Sequence, residues 1–250
     1  MIESILVYPE IFSGYSTGSR PIRAFFTVKM PGVNREAVCL ELGTGPENLF
    51  MPVQKHTNDV IVYEDCREDE IKNPPEADAV ITAKRGVALG IMVADCVPAL
   101  LYDKKTGAIG AVHAGWRGTA KGILIGTIEK MRHSFGSRPG DMRIAIGPAI
   151  RKCCYEVDMD VLRQIETSAG VPAGHHAGNI RYYGIKGPKA YIDLPEANRR
   201  QAIAHGVKEE NIWLSGICTS CQPEKFHSYR REFRLGAKAP GRQGGFIIRL

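Results

Sequence analysis

Three residues of the types that bind metal ions stand at the borders of apolar runs in the first half of the chain. His56 lies in VQKHTNDV, Cys96 in MVADCVPALLYD and His113 in AVHAGWRG. Thiolate and imidazole are ligands that zinc prefers, and three protein ligands with a fourth position free is the pattern of catalytic zinc. The separations along the chain match no compact zinc finger. Ordinary buried side chains and a metal-free Cys/His nucleophilic pair therefore remain as alternatives.

The element that brings two of these residues together is a predicted β-hairpin. The runs VPALLYD (97–103) and AIGAVHA (108–114) are joined by KKTG, which suits a tight turn. Pairing of the two runs places Cys96 and His113 side by side at the open end of the hairpin. Asp95 precedes Cys96 in an apolar setting, where a carboxylate is costly without water, a partner or a metal. We therefore expect Asp95 at a strand end that opens into a site, next to the reacting groups.

Further residues are suited to binding a substrate. Trp116 and Arg117 follow His113 and are flanked by glycines, so they are expected to edge the site. Arg231, in the sequence YRR, is a candidate anion contact, with surface packing of its long side chain as the alternative.

The other cysteines and histidines carry weaker signals. The CxxC of Cys218 and Cys221 has no second pair at zinc-ribbon spacing, which favours structural thiols. Cys153 and Cys154 are adjacent, and we expect that they cannot easily hold one metal together. The paired histidines at 175 and 176 fall in a polar stretch and are expected to face solvent.

Composition limits the class of protein. The chain has 250 residues, 44% of them hydrophobic, which is enough for one well-packed domain. A net charge of +6 favours anionic ligands, but the basic residues are dispersed and no nucleic-acid-binding motif occurs. No apolar run is long enough to span a membrane and the N-terminus lacks a signal pattern. With an odd count of seven cysteines, reduced thiols and a cytoplasmic location are expected, whereas no feature predicts the oligomeric state.

Strands and helices alternate too irregularly for a doubly wound sheet and predict one α+β unit over residues 1–250. The helices are predicted after Thr119 to Gly136, over 158–168, and over 194–206 with Asp193 as the N-cap. A long loop is expected over 170–188. Besides the hairpin, strands are predicted at 22–28, 38–42, 59–65, 77–83, 87–93, 142–147, 211–214 and 245–250. The run at 87–93 is expected to neighbour the two hairpin strands.

A set of longer motifs resembles the YfiH/YlmD/FAMIN family, often labelled laccase-domain or polyphenol oxidase. The matching motifs run from about residue 50 to the C-terminus and are KHTNDV, ADCVPALLYD, AVHAGWRGTAKGI, IGPAIRKCCYEV, IDLPEANRRQ, GVKEENI, CTSC, FHSYRR and GRQGGFI. The resemblance implies that His56, Cys96 and His113 bind zinc. It also implies a layered α-β-β-α sandwich with mixed sheets, similar to Cys/His hydrolase-like toxin domains.

The activity that the resemblance implies is phosphorolysis of purine nucleosides, with adenosine, inosine, guanosine and methylthioadenosine as substrates, together with deamination of adenosine. Nucleoside and phosphate are then the small-molecule partners. The family's arginine after Ser-Thr is replaced here by Gly18, so Arg20 or Arg23 is the candidate substitute for holding phosphate. Two rival functions stay open. One is a Cys96/His113 amidase-type hydrolase that edits peptidoglycan precursors, and the other is a non-catalytic module that binds a nucleotide or a protein partner.

Overall fold

The computed structural model describes residues 6–12, 22–64, 69–70, 73–168 and 182–250. The strands are β1 (Leu6–Val7), β2 (Ile22–Thr27), β3 (Leu49–Phe50), β4 (Val60–Val62), β5 (Ala79–Thr82), β6 (Ala88–Val93), β7 (Val97–Asp103), β8 (Ile109–Ala114), β9 (Met142–Ile146), β10 (Glu156–Asp158), β11 (Tyr183–Lys186), β12 (Lys189–Ile192), β13 (Ile212–Leu214) and β14 (Gln243–Arg249). The helices are α1 (Arg35–Leu42), α2 (Trp116–Ala120), α3 (Ile123–Phe135), α4 (Met159–Ser168), α5 (Leu194–Ala204) and α6 (Tyr229–Arg234).

A six-stranded sheet in the order β13-β9-β7-β8-β5-β4 lies at the centre of the fold. The predicted hairpin is confirmed, because β7 and β8 pair antiparallel with Val97 opposite Ala114 and Pro98 opposite His113. Every residue of β7 and β8 is buried, as expected for strands covered on both faces. The sheet is mixed, since β4 with β5 and β13 with β9 pair parallel.

A five-stranded sheet in the order β1-β2-β14-β6-β3 packs against the first sheet. One apolar cluster joins the facing sides, with Phe26 and Leu89 from this sheet and Leu100 and Ala145 from the other. The predicted strand at 87–93 exists as β6, but it pairs with β14 and β3. It neighbours the hairpin strands, as expected, by packing against β8 and β7 across the two sheets, because the chain crosses from the five-stranded to the six-stranded sheet between Val93 and Val97.

Helices cover the outer faces of both sheets. On the six-stranded sheet, Ile123 and Ile128 of α3, Leu162 of α4 and Leu194 of α5 join one large buried cluster with the strands. On the five-stranded sheet, α1 packs its buried side chains against Phe25, Phe246 and Ile248. The layers therefore run helix, sheet, sheet, helix, and the expected α+β sandwich with mixed sheets is confirmed.

The predicted strand at 38–42 is wrong, because these residues belong to α1. Its β-branched and apolar residues suit a strand locally, but signals on either side of them specify a helix. The Asn34 side chain caps the first turn by accepting from the Ala37 N–H at 2.8 Å, and Gly43 ends the helix in the left-handed conformation at φ 72°.

The predicted loop at 170–188 is partly wrong. Its last residues form β11, which pairs with β12 and β10 in a three-stranded sheet. Residues 169–181, including His175 and His176, lie outside the described residues. The helix that follows begins as predicted, since the Asp193 carboxylate accepts from the Glu196 N–H at 3.1 Å.

Within the described ranges, every helix is too short or too polar to cross a bilayer.

Candidate metal centre and its cavity

The fold brings His56, Cys96 and His113 to one place, although each comes from a different loop or strand. One ligand atom from each side chain lies within 4.8 Å of the others. The Cys96 Sγ is 3.8 Å from the His56 Nε2, and the two imidazole rings are 4.8 Å apart between centroids. Two imidazoles and one thiolate at this spacing can hold a metal ion and leave a fourth position free.

Local backbone geometry directs these ligands. His56 has φ 60°, and Asp95, directly before Cys96, has φ 83°. Both lie in the left-handed region that side-chain-bearing residues seldom adopt, so both loops turn sharply where a ligand is presented. Gly115 sits beside the cluster, and a Cβ there would lie 2.9 Å from the His56 ring and 3.1 Å from the Cys96 sulfur.

The buried Asp78 carboxylate, at the end of the turn before β5, organises two of the three ligands. One oxygen bonds the His113 Nδ1 at 2.6 Å, which turns the other ring nitrogen towards Cys96. The other oxygen accepts from the Lys55 N–H at 3.1 Å and from the Thr57 N–H and hydroxyl at 2.6 and 2.9 Å. These bonds fix the His56 loop relative to His113, in the manner of the carboxylates that support metal-bound histidines.

Electrostatics in the cluster favour a thiolate beside an imidazolium when no metal is bound. Burial opposes ionisation of Cys96, but the charge and hydrogen bond of His113, with a further bond from His56, lower its pKa to about 6. Burial likewise opposes charge on His113, yet the Cys96 thiolate and the Asp78 carboxylate raise its pKa to about 9. The Asp78 pKa is depressed despite burial, by its bonds to His113 and Thr57. These shifts favour the thiolate form that a metal requires.

A cavity of about 840 Å³ opens onto the three ligands, a volume suited to a small organic molecule. Its apolar wall includes Met92, Ile150, Trp116, Tyr155 and Tyr229. Burial, with a smaller contribution from the Cys96 charge, raises the pKa of Tyr155, so its hydroxyl stays protonated and can donate a hydrogen bond.

Arginines line the same cavity. Arg117 stacks on Trp116, with its guanidinium carbon 4.5 Å from the ring centroid, and among the described residues it has no hydrogen-bond acceptor. Arg230 lies 5.1 Å over Tyr155 and donates to the Glu156 carbonyl at 2.7 Å. Arg35 and Arg242 complete the basic part of the lining. The cavity therefore combines aromatic surface with positive charge beside a metal-binding cluster.

The Asp95 carboxylate lies at the cavity as expected, but both of its oxygens are occupied by the protein. One accepts from the Thr219 hydroxyl at 2.6 Å, and the other accepts from the Ser228 hydroxyl at 2.9 Å and the Arg230 N–H at 2.7 Å. The predicted catalytic role is not supported by these contacts. Asp95 instead ties the loops around the cavity together and holds the turn that presents Cys96.

Arg231 does not face the cavity, which contradicts its prediction as a substrate contact. Its guanidinium donates to the carbonyls of Thr219, Ser220 and Phe226 at 2.9, 3.0 and 2.6 Å. The neighbouring Arg230 has its side chain on the cavity side, because α6 turns successive residues to different faces. Arg20 lies outside the described residues.

Sequence reasoning missed Asp78 and Tyr155. Asp78 has a recognisable signal, since a lone carboxylate within the apolar run ADAVITA is costly unless it has partners. Tyr155 has no comparable signal in the sequence. It reaches the cavity because the chain before it is held beside the Cys96 loop, where the Ile150 N–H donates to the Asp95 carbonyl.

A family model described as "Multi-copper polyphenol oxidoreductase laccase" matches residues 31–250. Relatives with assigned names are similar over most of their length. A protein named purine nucleoside phosphorylase from Bacteroides thetaiotaomicron is 36% identical over 81% of this chain and 74% of its own. A protein named adenosine deaminase RL5, from an unknown prokaryotic organism, is 33% identical over 79% of this chain and 75% of its own.

Solved structures of similar fold cover nearly the whole chain. The hypothetical protein YfiH of Bacillus licheniformis superposes with a TM-score of 0.80 at 29% identity, covering 91% of this chain and 92% of that one. YlmD from Geobacillus stearothermophilus superposes with a TM-score of 0.78 at 29% identity, covering 92% of each.

Proposed function

The chain belongs to the family described as multi-copper polyphenol oxidoreductase laccase, which includes YfiH and YlmD, and from this membership we propose that it is a zinc-dependent enzyme of purine nucleosides. The proposed reaction is phosphorolysis of adenosine, inosine, guanosine or methylthioadenosine, with deamination of adenosine at the same centre. Relatives named for each of these two activities support the proposal. The observation that carries it is a His/Cys/His cluster at the base of an arginine-lined cavity.

The donor set fits zinc better than the copper of the family description. Two imidazoles and one thiolate with an open position match catalytic zinc sites. A multi-copper centre needs ligands for several adjacent ions. Among the described residues, only one candidate metal-binding group contains histidines. Its three ligand atoms lie within 4.8 Å of one another, which leaves room for a single ion. Zinc held by His56, Cys96 and His113 would act as a Lewis acid, either polarising an oxygen atom of the substrate or phosphate or activating a water molecule.

The protein's own groups would bind and orient the nucleoside. The aromatic side chains of Trp116, Tyr155 and Tyr229 offer surface for a purine ring. The protonated Tyr155 hydroxyl can donate a hydrogen bond to a ring nitrogen or a ribose oxygen. Asp78 holds the His113 imidazole in one tautomer throughout, because its carboxylate accepts the Nδ1 proton.

Arginines in the cavity supply the charge that phosphate requires. Arg117 is the best candidate, since its stacked guanidinium has no acceptor among the described residues. Arg230 lies over the ring of Tyr155 and is fixed by its bond to the Glu156 carbonyl. One guanidinium group can bind two phosphate oxygens at once. Its positive charge also offsets the negative charge that develops during transfer of the ribosyl group to phosphate. On this proposal the two cavity arginines would hold phosphate in place of the arginine that Gly18 replaces.

Product analysis tests the proposal. The purified protein, loaded with zinc, is incubated with adenosine in the presence and absence of phosphate. Adenine with ribose 1-phosphate shows phosphorolysis, free ribose shows hydrolysis, and inosine shows deamination. Arg117→Gln should raise the KM for phosphate by about tenfold or more and leave deamination nearly unchanged. Absence of every one of these products at high enzyme concentration would refute the proposed activity.

The metal dependence is tested by a matched pair of histidine variants. His113→Ala should lose the zinc of the His/Cys/His centre together with turnover, whereas His133→Ala should keep both. His133 is an exposed residue of α3, so its replacement controls for purification and for loss of an imidazole. Full turnover of a His113→Ala protein that holds no zinc at this centre contradicts a zinc-dependent reaction.

A second candidate function is suggested by one specific arrangement. Cys96, His113 and Asp78 form a chain in which a thiolate meets an imidazole that a carboxylate orients, as in cysteine hydrolases. Such a site would cleave an amide, for which a peptidoglycan precursor is the proposed substrate. An acyl group on Cys96, detected by mass spectrometry after incubation with a muropeptide, would favour this reaction. Inhibition of the acylation by stoichiometric zinc would separate it from nucleoside chemistry.

A further inference from the structure

A second cluster of metal-binding side chains lies apart from the His/Cys/His group. Its members are Cys153, Cys154, Cys218 and Cys221, whose sulfur atoms all lie within 4.8 Å of one another. Two come from the turn that precedes β10, and two come from the CxxC motif after β13. We propose that these four cysteines bind a structural zinc ion as a tetrathiolate site.

The spacing of the sulfur atoms fits tetrahedral coordination. Zinc–sulfur bonds of about 2.3 Å place tetrahedral sulfurs about 3.8 Å apart. Here the Cys221 Sγ is 3.5 Å from that of Cys153 and 3.4 Å from that of Cys154. Because no pair exceeds 4.8 Å, closure around an ion requires sulfur movements of at most about 1 Å. Four thiolates and no open position are typical of structural zinc.

Backbone geometry explains how adjacent cysteines serve one site. In the turn after Ile150, the Arg151 carbonyl accepts from the N–H groups of both Cys154 and Tyr155 at 2.9 Å, so the chain folds tightly around the pair. Both sulfurs then reach Cys221. The proposal departs from the expectation that Cys153 and Cys154 cannot easily hold one metal together, and the spacing of their sulfurs supports this departure.

The CxxC motif forms the other half of the site. The Cys221 N–H donates to the Cys218 carbonyl at 3.2 Å, which closes a tight turn. The Cys218 sulfur also accepts hydrogen bonds from the backbone N–H groups of Arg151 and Cys221. Bonds of this kind stabilise a metal-bound thiolate.

Two basic residues belong to the segments that form the cluster or contact them, and their charge would favour a zinc tetrathiolate of net charge −2. Lys152 directly precedes the cysteine pair. The Arg231 guanidinium donates to the carbonyls of Thr219 and Ser220, the two residues between the CxxC cysteines. This gives Arg231 a function in the fold that differs from the substrate contact expected from the sequence.

The site would clamp two loops that build the wall of the cavity. Thr219, inside the CxxC, donates its hydroxyl to Asp95, and the Ile150 N–H donates to the Asp95 carbonyl at 3.0 Å. Tyr155 and Ile150, on either side of the turn, line the cavity. A bound ion would therefore fix the aromatic wall next to the neighbouring metal centre, although it would not touch the substrate.

The test measures zinc per chain in protein purified with a reductant, by elemental analysis and native mass spectrometry. We expect two ions in the unmodified protein, one in Cys221→Ser, one in His113→Ala and none in the double variant. Cys39→Ser controls for a cysteine change, since Cys39 is buried under α1 outside the cluster, and it should retain two.

X-ray absorption keeps the proposal testable where Cys221→Ser does not fold. Zinc in His113→Ala should show a shell of sulfur alone at about 2.3 Å, whereas a shell with nitrogen overturns the tetrathiolate site. A folded His113→Ala protein without zinc also overturns it, as does a disulfide within the cluster that persists under reductant. One zinc in both the unmodified protein and His113→Ala, with none in Cys221→Ser, supports this site even if the His/Cys/His centre fails to bind zinc.

Discussion

Replacing Asp78 by Asn should weaken the metal centre without removing a single metal ligand. The carboxylate accepts on both sides, from the His113 Nδ1 on one oxygen and from the backbone of the His56 loop on the other. An amide of the same shape accepts on one side only and donates on the other. If the amide nitrogen faces Thr57, its N–H meets the Thr57 N–H in a buried place, and neither donor has an acceptor. If it faces His113, the imidazole must carry its proton on Nε2, the nitrogen needed for the metal.

The magnitude follows from these lost bonds. Changes to the carboxylates that orient metal-bound histidines typically cost about 10–100-fold in metal affinity, which is about 1.4–2.7 kcal/mol. Asp78 and His113 are both buried, with side-chain exposures of 0% and 4%, so the unmatched donor cannot turn to water. We therefore expect a loss of about 3 kcal/mol in the free energy of unfolding of the metal-free protein as well.

Zinc affinity is measured by competition with a chromophoric chelator, and stability by urea unfolding of the metal-free protein. Asp103→Asn is the matched control, because Asp103 is also fully buried and accepts hydrogen bonds from Lys105 and Thr106 at the opposite end of β7. It should lose stability and keep its zinc affinity at this centre. An Asp78→Asn protein that folds and binds zinc as tightly as the unmodified protein would falsify the reasoning.

Three further predictions concern the same centre and the fold. In metal-free protein, Cys96 should react with iodoacetamide at neutral pH, and the reaction rate should fall about tenfold per pH unit below its pKa of about 6, because only the thiolate reacts. Mass spectrometry should show that zinc protects Cys96 from the reagent. A rate that keeps rising to pH 9 contradicts the lowered pKa. Gly115→Ala should lower zinc affinity by about tenfold through its contact with His56, whereas Gly126→Ala, with open space around the new methyl group, should leave the affinity unchanged. Asn34→Ala should lower the free energy of unfolding by about 1 kcal/mol through loss of the cap on α1, and an unchanged urea midpoint would count against that cap.

Local sequence determined most of the elements. Apolar runs bounded by turn residues predicted β7, β8 and β9 closely, and Asp193 marked the start of α5. The run at 38–42 was misread, because a five-residue segment that is mostly apolar does not distinguish a strand from a helix. The cap at Asn34 and the stop at Gly43 decided that segment.

The three metal ligands were identifiable from residue type and from the motifs around them, and the hairpin already placed two of them together. The carboxylate that orients His113 was not identifiable, because Asp78 becomes a partner of His113 only when β5 pairs with β8. Arg231 shows the opposite case. Its sequence suggests an anion contact, yet the direction of a side chain on α6 depends on how that helix docks against the CxxC loop.

The sequence by itself determined which residues have the chemistry to bind a metal and where strands begin and end, since both depend on side-chain type and near neighbours. Only the tertiary structure decided which side chains lie within contact distance of one another. The adjacent cysteines make this plain, because Cys153 and Cys154 meet Cys221 through a turn and a bridge between distant segments. Contacts between remote segments follow from packing of the whole chain, and short-range pattern carries no information on their distance.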